Sequence, residues 1–80
     1  MENTVEIHLG GHLNFFDPDK RNELHVPISG EMRLSDMLEL INLPSAEIAL
    51  ISINGEHVDL ENTIVFPGDR IGFYPPMGGG

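Results

Sequence analysis

Apolar residues recur at every second position over Thr4 to Leu9, where Val5, Ile7 and Leu9 fall on one face and Glu6 and His8 on the other. That period of two predicts a half-buried strand. Gly10 and Gly11 end it, and a polar segment runs on through Asp17-Pro18-Asp19-Lys20-Arg21-Asn22. Phe15 and Phe16 lie within this segment and are expected to fold part of it back over the core. Alternation resumes from Glu23 to Ile28 with Leu24, Val26 and Ile28, which predicts an antiparallel partner for the first strand. Pro27 marks an edge or a strand end, because it lacks the N–H that a ladder needs.

At Leu34 the period changes. Leu34, Met37, Leu38 and Ile41 are spaced for one face of a helix that ends at Asn42, with Pro44 as its stop. Arg33 occupies the expected cap position, and Ser35 is the nearest residue with a good capping side chain. From Ile48 to Ile53 the chain is densely apolar, with Ala49, Ile51 and Ile53 expected inward and Leu50 and Ser52 outward. Asn54-Gly55 then signals a tight hairpin turn. A short return strand over Glu56 to Val58 leads through Asp59-Leu60-Glu61-Asn62 to Ile64-Val65-Phe66. Pro67-Gly68-Asp69 is a turn, and Arg70 to Tyr74 forms a last strand with Ile71 and Phe73 inward. Hairpin, helix, hairpin and last strand predict an α+β domain of the ubiquitin-like β-grasp type, a mixed sheet of four to five strands with one main helix packed across it. The last strand is then central and parallel to the first, reached through the helix crossover. Residues 1–74 form the domain and residues 75–80 a tail.

That tail, Pro75-Pro76-Met77-Gly78-Gly79-Gly80, changes the picture most. The two prolines fix φ and make a stiff spacer, and three glycines in a row favour neither helix nor strand. A stiff spacer with a thin tip suits insertion into a narrow channel, where the carboxylate of Gly80 is the only reactive group. The competing reading is a frayed terminus.

Composition narrows the chemistry. The chain has 80 residues, enough for one modest core, and no cysteine, which excludes disulfides, zinc–cysteine sites and cysteine nucleophiles. Thirteen acidic residues against four basic ones give a formal charge of −9. Such a chain repels phosphate backbones, so nucleic acid is not an expected partner. The charge either steers the protein to electropositive surfaces or serves solubility alone. The N-terminus lacks a signal-peptide pattern and no apolar run spans a bilayer, so no membrane association and a cytoplasmic location are expected. His8, His12, His25 and His57 are scattered without metal-ligand spacing and read as solvated side chains, with a metal site the weaker alternative. Neither Gly10-Gly11 nor the terminal glycines have the strand-and-helix context of a phosphate cradle. Asp17, Asp19, Asp59 and Glu61 sit in turns and read as solvating groups, so no catalytic residues are assigned.

Asn54-Gly55, Pro67-Gly68-Asp69 and the closing Phe73-Tyr74-Pro75-Pro76-Met77-Gly78-Gly79-Gly80 together resemble the MoaD/ThiS sulfur-carrier family. The aromatic pair, the two prolines and the terminal glycines are most similar to the small subunit of molybdopterin synthase. Thiamine-pathway carriers share the glycines but usually lack the Pro-Pro. The resemblance implies a carrier rather than an enzyme, with no bound cofactor. An adenylating partner related to the ubiquitin activators joins the Gly80 carboxylate to AMP using ATP. A sulfur donor, such as a cysteine desulfurase or rhodanese, then displaces AMP to leave a thiocarboxylate. The large molybdopterin synthase subunit, or an equivalent acceptor enzyme, consumes the sulfur in building the molybdenum or tungsten cofactor. Gly79 and Gly78 give access to the partner sites, and Met77, Pro76 and Pro75 set the reach. Sulfur carriage for thiamine or another metabolite, protein modification through Gly80, and a plain binding module are the alternatives. Docking is expected on the sheet face beside the tail, with Tyr74 as anchor or merely covering the sheet edge, and Leu50 and His57 nearby. Gly10, His57 and the polar segment from Gly10 to Asn22 depart from the family pattern.

Overall fold

The alternation at the start of the chain becomes strand β1 (Thr4–Leu9), whose Val5, Ile7 and Leu9 are buried in the computed structural model, which describes residues 3–76. Met77, Gly78, Gly79 and Gly80 lie outside the described residues. Strand β2 (Glu23–Pro27) pairs antiparallel with β1, placing Val26 opposite Val5 and Leu24 opposite Ile7. Pro27 closes β2, which forms one edge of the sheet.

A two-residue strand β3 (Met32–Arg33) precedes helix α1 (Leu34–Leu40). Arg33 is the N-cap residue, without a side-chain cap bond. The Thr63 carbonyl accepts the first helical N–H, from Leu34, at 3.0 Å. That amide is satisfied from across the fold, so Ser35 is not needed as a cap. At the other end the helix stops two residues before the expected Asn42. Asn42 takes a left-handed φ of 61°, its N–H donates to the Glu39 carbonyl, and the N–H of Leu43 donates to that of Leu38. This is a Schellman closure, completed by the two buried leucines that flank it, Leu38 and Leu43.

Strands β4 (Leu50–Ile53) and β5 (Glu56–His57) form the expected hairpin, with Asn54 and Gly55 both at positive φ. That is the backbone a two-residue turn of this hand requires. The strand starts later than the apolar run, because Ser45–Glu47 form a short 3₁₀ turn and Ala49 lies just outside it. Ala49 is exposed rather than inward. Strand β6 (Ile64–Val65) pairs with β3 in a separate two-stranded ladder. The turn after it has Gly68 at φ 93° and a bond from the Asp69 N–H to the Phe66 carbonyl. Pro67 and Gly68 at its centre fit a type II turn.

Strand β7 (Arg70–Tyr74) completes a five-stranded sheet in the order β2-β1-β7-β4-β5, parallel to β1 and antiparallel to β4. Ile7, Ile71 and Ile53 line up across it, as do Leu9, Phe73 and Ile51. Ile7, Leu9, Ile51, Ile71 and Phe73 form one buried cluster with Leu34, Met37 and Leu38 of the helix, and the partly buried Ile53 packs against it, so the core lies between sheet and helix. The arrangement is the ubiquitin-like β-grasp, and it puts the last strand in the middle of the sheet.

The segment after β1 holds two corrections. Residues Gly11–Phe16 form a 3₁₀ helix that buries Leu13 and packs Phe16 partly on the core. Phe15 instead points outward, 65% exposed, with the Lys20 ammonium 5.9 Å from its ring centre. Asp17 is not a solvating carboxylate. It is 5% exposed, and its oxygens accept the N–H groups of Asp19 and Arg21 together with Nε and Nη2 of the Arg21 side chain, all within 3.0 Å. Those four donors tie the turn into a loop around one anion.

Candidate functional site: the root of the tail

Strand β7 leaves the sheet at Tyr74, and both its neighbours hold it there. The Gly10 N–H donates to the Phe73 carbonyl from the β1 side, and the Ala49 N–H donates to the Tyr74 carbonyl from the β4 side, each at 2.8 Å. The two segments flanking this exit also approach one another, with His12 Nε2 3.4 Å from Glu47 Oε1. The backbone is therefore fixed up to the last residue before the prolines.

Register decides which side chains share the outer face. Tyr74 lies opposite Leu50, Gly72 lies opposite both Ser52 and His8, and Ser52 lies opposite His57. Tyr74, Leu50 and His57, expected from the sequence beside the tail, are thus on one face. Leu50 is 41% exposed and His57 is open to solvent, whereas Tyr74 is half-buried. Its ring tilts at 48° to that of His8, with centroids 5.8 Å apart. His8 Nδ1–H donates to Glu23 Oε2 at 2.6 Å, and Arg70 Nε lies 3.6 Å from Glu6 Oε1 on the same face. The face is apolar and aromatic near the exit and charged away from it.

Three glycines accommodate the end of β7 and the first residue of the tail, a role not evident from the sequence alone. A Cβ on Gly10 would lie 2.7 Å from Tyr74 Cδ1, and one on Gly72 would lie 2.7 Å from the Tyr74 hydroxyl. A Cβ on Gly11, which has φ +53°, would lie 2.7 Å from Pro75 Cγ. Pro75, assigned from the sequence to the tail, is accordingly half-buried. One signal was present in the sequence: a glycine inside a strand, as at Gly72 between Ile71 and Phe73, marks a close approach by another group.

The histidines lie apart. His8, His12, His25 and His57 belong to β1, the 3₁₀ helix, β2 and β5, and among the described residues no group of three His, Asp or Glu side chains could hold a metal ion. A groove of about 390 Å³ beside the exit is lined by Ile48, Ala49, Leu50, His57 and Leu60. Within the described residues no helix is long and apolar enough to cross a membrane.

Several solved structures are similar to this one. Urm1 from Trypanosoma brucei superposes with a TM-score of 0.74 at 15% identity, covering 99% of this chain and 97% of that one. The HVO 2177 protein of Haloferax volcanii gives 0.73 at 16%, over 96% and 86%. The complex of subunits 1 and 2 of the molybdopterin-converting factor from Helicobacter pylori contains a chain matching at 0.59 and 24%, over 96% and 99%. At such identities the likeness is one of fold. No match was found among curated proteins. Over residues 2–78 the sequence matches the Mut7-C ubiquitin family, and the chain belongs to that ubiquitin-like family.

Proposed function

We propose that the protein is a sulfur carrier whose working group is the Gly80 carboxylate. The observation that carries this reading is the bracing of the tail's root: β7 is central in the sheet, and its last peptide groups are bonded to β1 and β4 sides alike. A rigid base with a narrow Gly78-Gly79-Gly80 tip suits delivery of one reactive group into a partner's active site. The shared fold with a subunit of molybdopterin-converting factor supports the same reading.

The chemistry requires activation, because a carboxylate resists nucleophilic attack. An adenylating enzyme joins a carboxylate oxygen of Gly80 to the α-phosphorus of ATP, and pyrophosphate leaves. The outer sulfur of a persulfide on a desulfurase- or rhodanese-type donor attacks the acyl carbon, AMP departs with the bonding electrons, and a second donor thiol reduces the resulting acyl disulfide, leaving the thiocarboxylate on Gly80 and a disulfide on the donor. The resulting thiocarboxylate passes its sulfur to an acceptor enzyme, and a large molybdopterin synthase subunit is the acceptor we favour. The protein itself supplies position rather than catalysis and binds no cofactor. Docking uses the outer face around Tyr74, Leu50 and His57, while Pro75, Pro76 and Met77 set the reach of the tip.

Deleting Gly79 and Gly80 in the native host tests this. The circular dichroism spectrum and the unfolding midpoint are expected to stay unchanged, while activity of molybdopterin-dependent enzymes is lost. Loss of thiazole synthesis instead moves the protein to the thiamine branch, and loss of a ladder of protein conjugates makes it a modifier. No change in any of the three contradicts the reading.

A further inference from the structure

The glycines under Tyr74 are placed there by a side chain rather than by their own backbone. Gly10 has φ −80° and ψ 161°, an extended conformation open to any residue. Gly72 is a regular strand residue in β7. Glycine weakens a strand interior, so its presence at Gly72 needs another cause. The same ring is the nearest obstacle in both cases: a Cβ at Gly10 meets Tyr74 Cδ1 and Cε1, and a Cβ at Gly72 meets the Tyr74 hydroxyl and Cε2, with Ser52 Oγ at 2.9 Å beside them. Gly10, just after β1, and Gly72, on the open face of β7, are both buried, and the Tyr74 ring lies against them. The ring therefore folds back along its own strand, from position 74 towards 72, with His8 on one side and Ser52 on the other.

We propose that Gly10 and Gly72 form a seat for Tyr74 that sets the direction in which the chain leaves the domain, which makes both glycines positioning residues for the tail. The seat extends to the next residue, since Gly11 is open to Pro75 in the same way. Two consecutive prolines then carry that direction onward, because their fixed φ leaves little freedom to bend. The inference deepens the carrier reading and rests on it for its functional half.

Gly10→Ala is the discriminating substitution, since the backbone there already suits alanine and the new methyl meets chiefly the ring; the Phe73 carbonyl, at 3.2 Å, needs only a small shift. With no native cysteine, Met77→Cys accepts a single spin label at the start of the tip. Its relaxation effects on domain amides map the tail's direction in the free protein. In Gly10→Ala, nuclear Overhauser contacts from the Tyr74 ring to Gly72 and His8 are expected to disappear and the relaxation map to shift to other amides. Tyr74→Ala, which empties the seat instead of filling it, is expected to shift the map as well, and Gly10→Ala adds nothing further in that background. With the host's adenylating enzyme, kcat/KM for pyrophosphate exchange falls about tenfold or more in both variants at unchanged circular dichroism, a misplacement effect. An unchanged map in the folded variants overturns the seat, and a shifted map with an unchanged kcat/KM overturns its positioning role. If the unmutated protein is not adenylated, the carrier reading fails instead, and the map alone decides whether the seat aims the tail.

Discussion

Asp17 and Asn54 show what single polar side chains do in this domain. The carboxylate of Asp17 sits among four donors, and the Arg21 side chain, followed by its backbone N–H, holds the acid well below the usual carboxylate range. A group whose folded-state pKa is depressed stabilises the fold above its unfolded value and loses that contribution as pH falls through the folded one. Stability is therefore expected to drop as pH is lowered from the ordinary value of 3.8 towards the depressed one. Asp17→Asn should lower the urea midpoint at pH 7 and flatten its decline in acid, both read from denaturation at a series of pH values; an unchanged slope contradicts the assignment. Asn54 works at longer range. Its Nδ2 donates to Asp69 Oδ1 and its Oδ1 accepts the Arg70 N–H, each at 3.0 Å, so the β4–β5 turn is clasped to the turn before β7. The hairpin at Asn54-Gly55 was legible because its signal is local. The clasp was not, because its partners lie 15 and 16 residues on. Asp17 was misread for a related reason: a run of Asp, Pro, Lys and Arg looks solvated until the fold shows Arg21 closing back on it.

At the scale of elements, helix α1 has only seven residues, too few to persist on propensity alone. Its stability comes from burying Leu34, Met37 and Leu38 against the sheet. Met37→Ala removes a fully buried side chain and is expected to cost about 2–5 kcal/mol by leaving a cavity. Urea unfolding at unchanged m-value measures it, and a cost below about 1 kcal/mol would place Met37 outside the core. The helix and the long strands were readable because each repeats its period several times. Strands β3 and β6 have two residues each, too short for any period. They form because the chain crosses back under the helix start, where the Thr63 carbonyl also replaces a capping side chain. The apolar run from Ile48 overstated β4 because apolar residues do not say where pairing begins. Pairing starts at Leu50 opposite Tyr74, and the preceding 3₁₀ turn leaves Ala49 to bond the Tyr74 carbonyl from outside the strand.

For the whole molecule, the order of elements leads to one structural outcome, a last strand clamped at the centre of a mixed sheet with its end directed out between two neighbours. That topology was readable from the sequence, since a hairpin, a crossover helix and a returning hairpin leave few other closures. The glycine seat was not, because it depends on which face Tyr74 takes and how far its ring reaches along the strand. The net charge of −9 favours encounter with positively charged surfaces, where it acts on the association rate. The proposed role of this scaffold is to present the Gly80 carboxylate for activation. It is tested most directly by the intact mass of the protein purified from its native host, before and after incubation with ATP, the host's adenylating enzyme and its sulfur donor. Exchange of one oxygen for one sulfur, localised to Gly80 by fragmentation, is the expected result. An unmodified C-terminus in the presence of a competent enzyme and donor contradicts it.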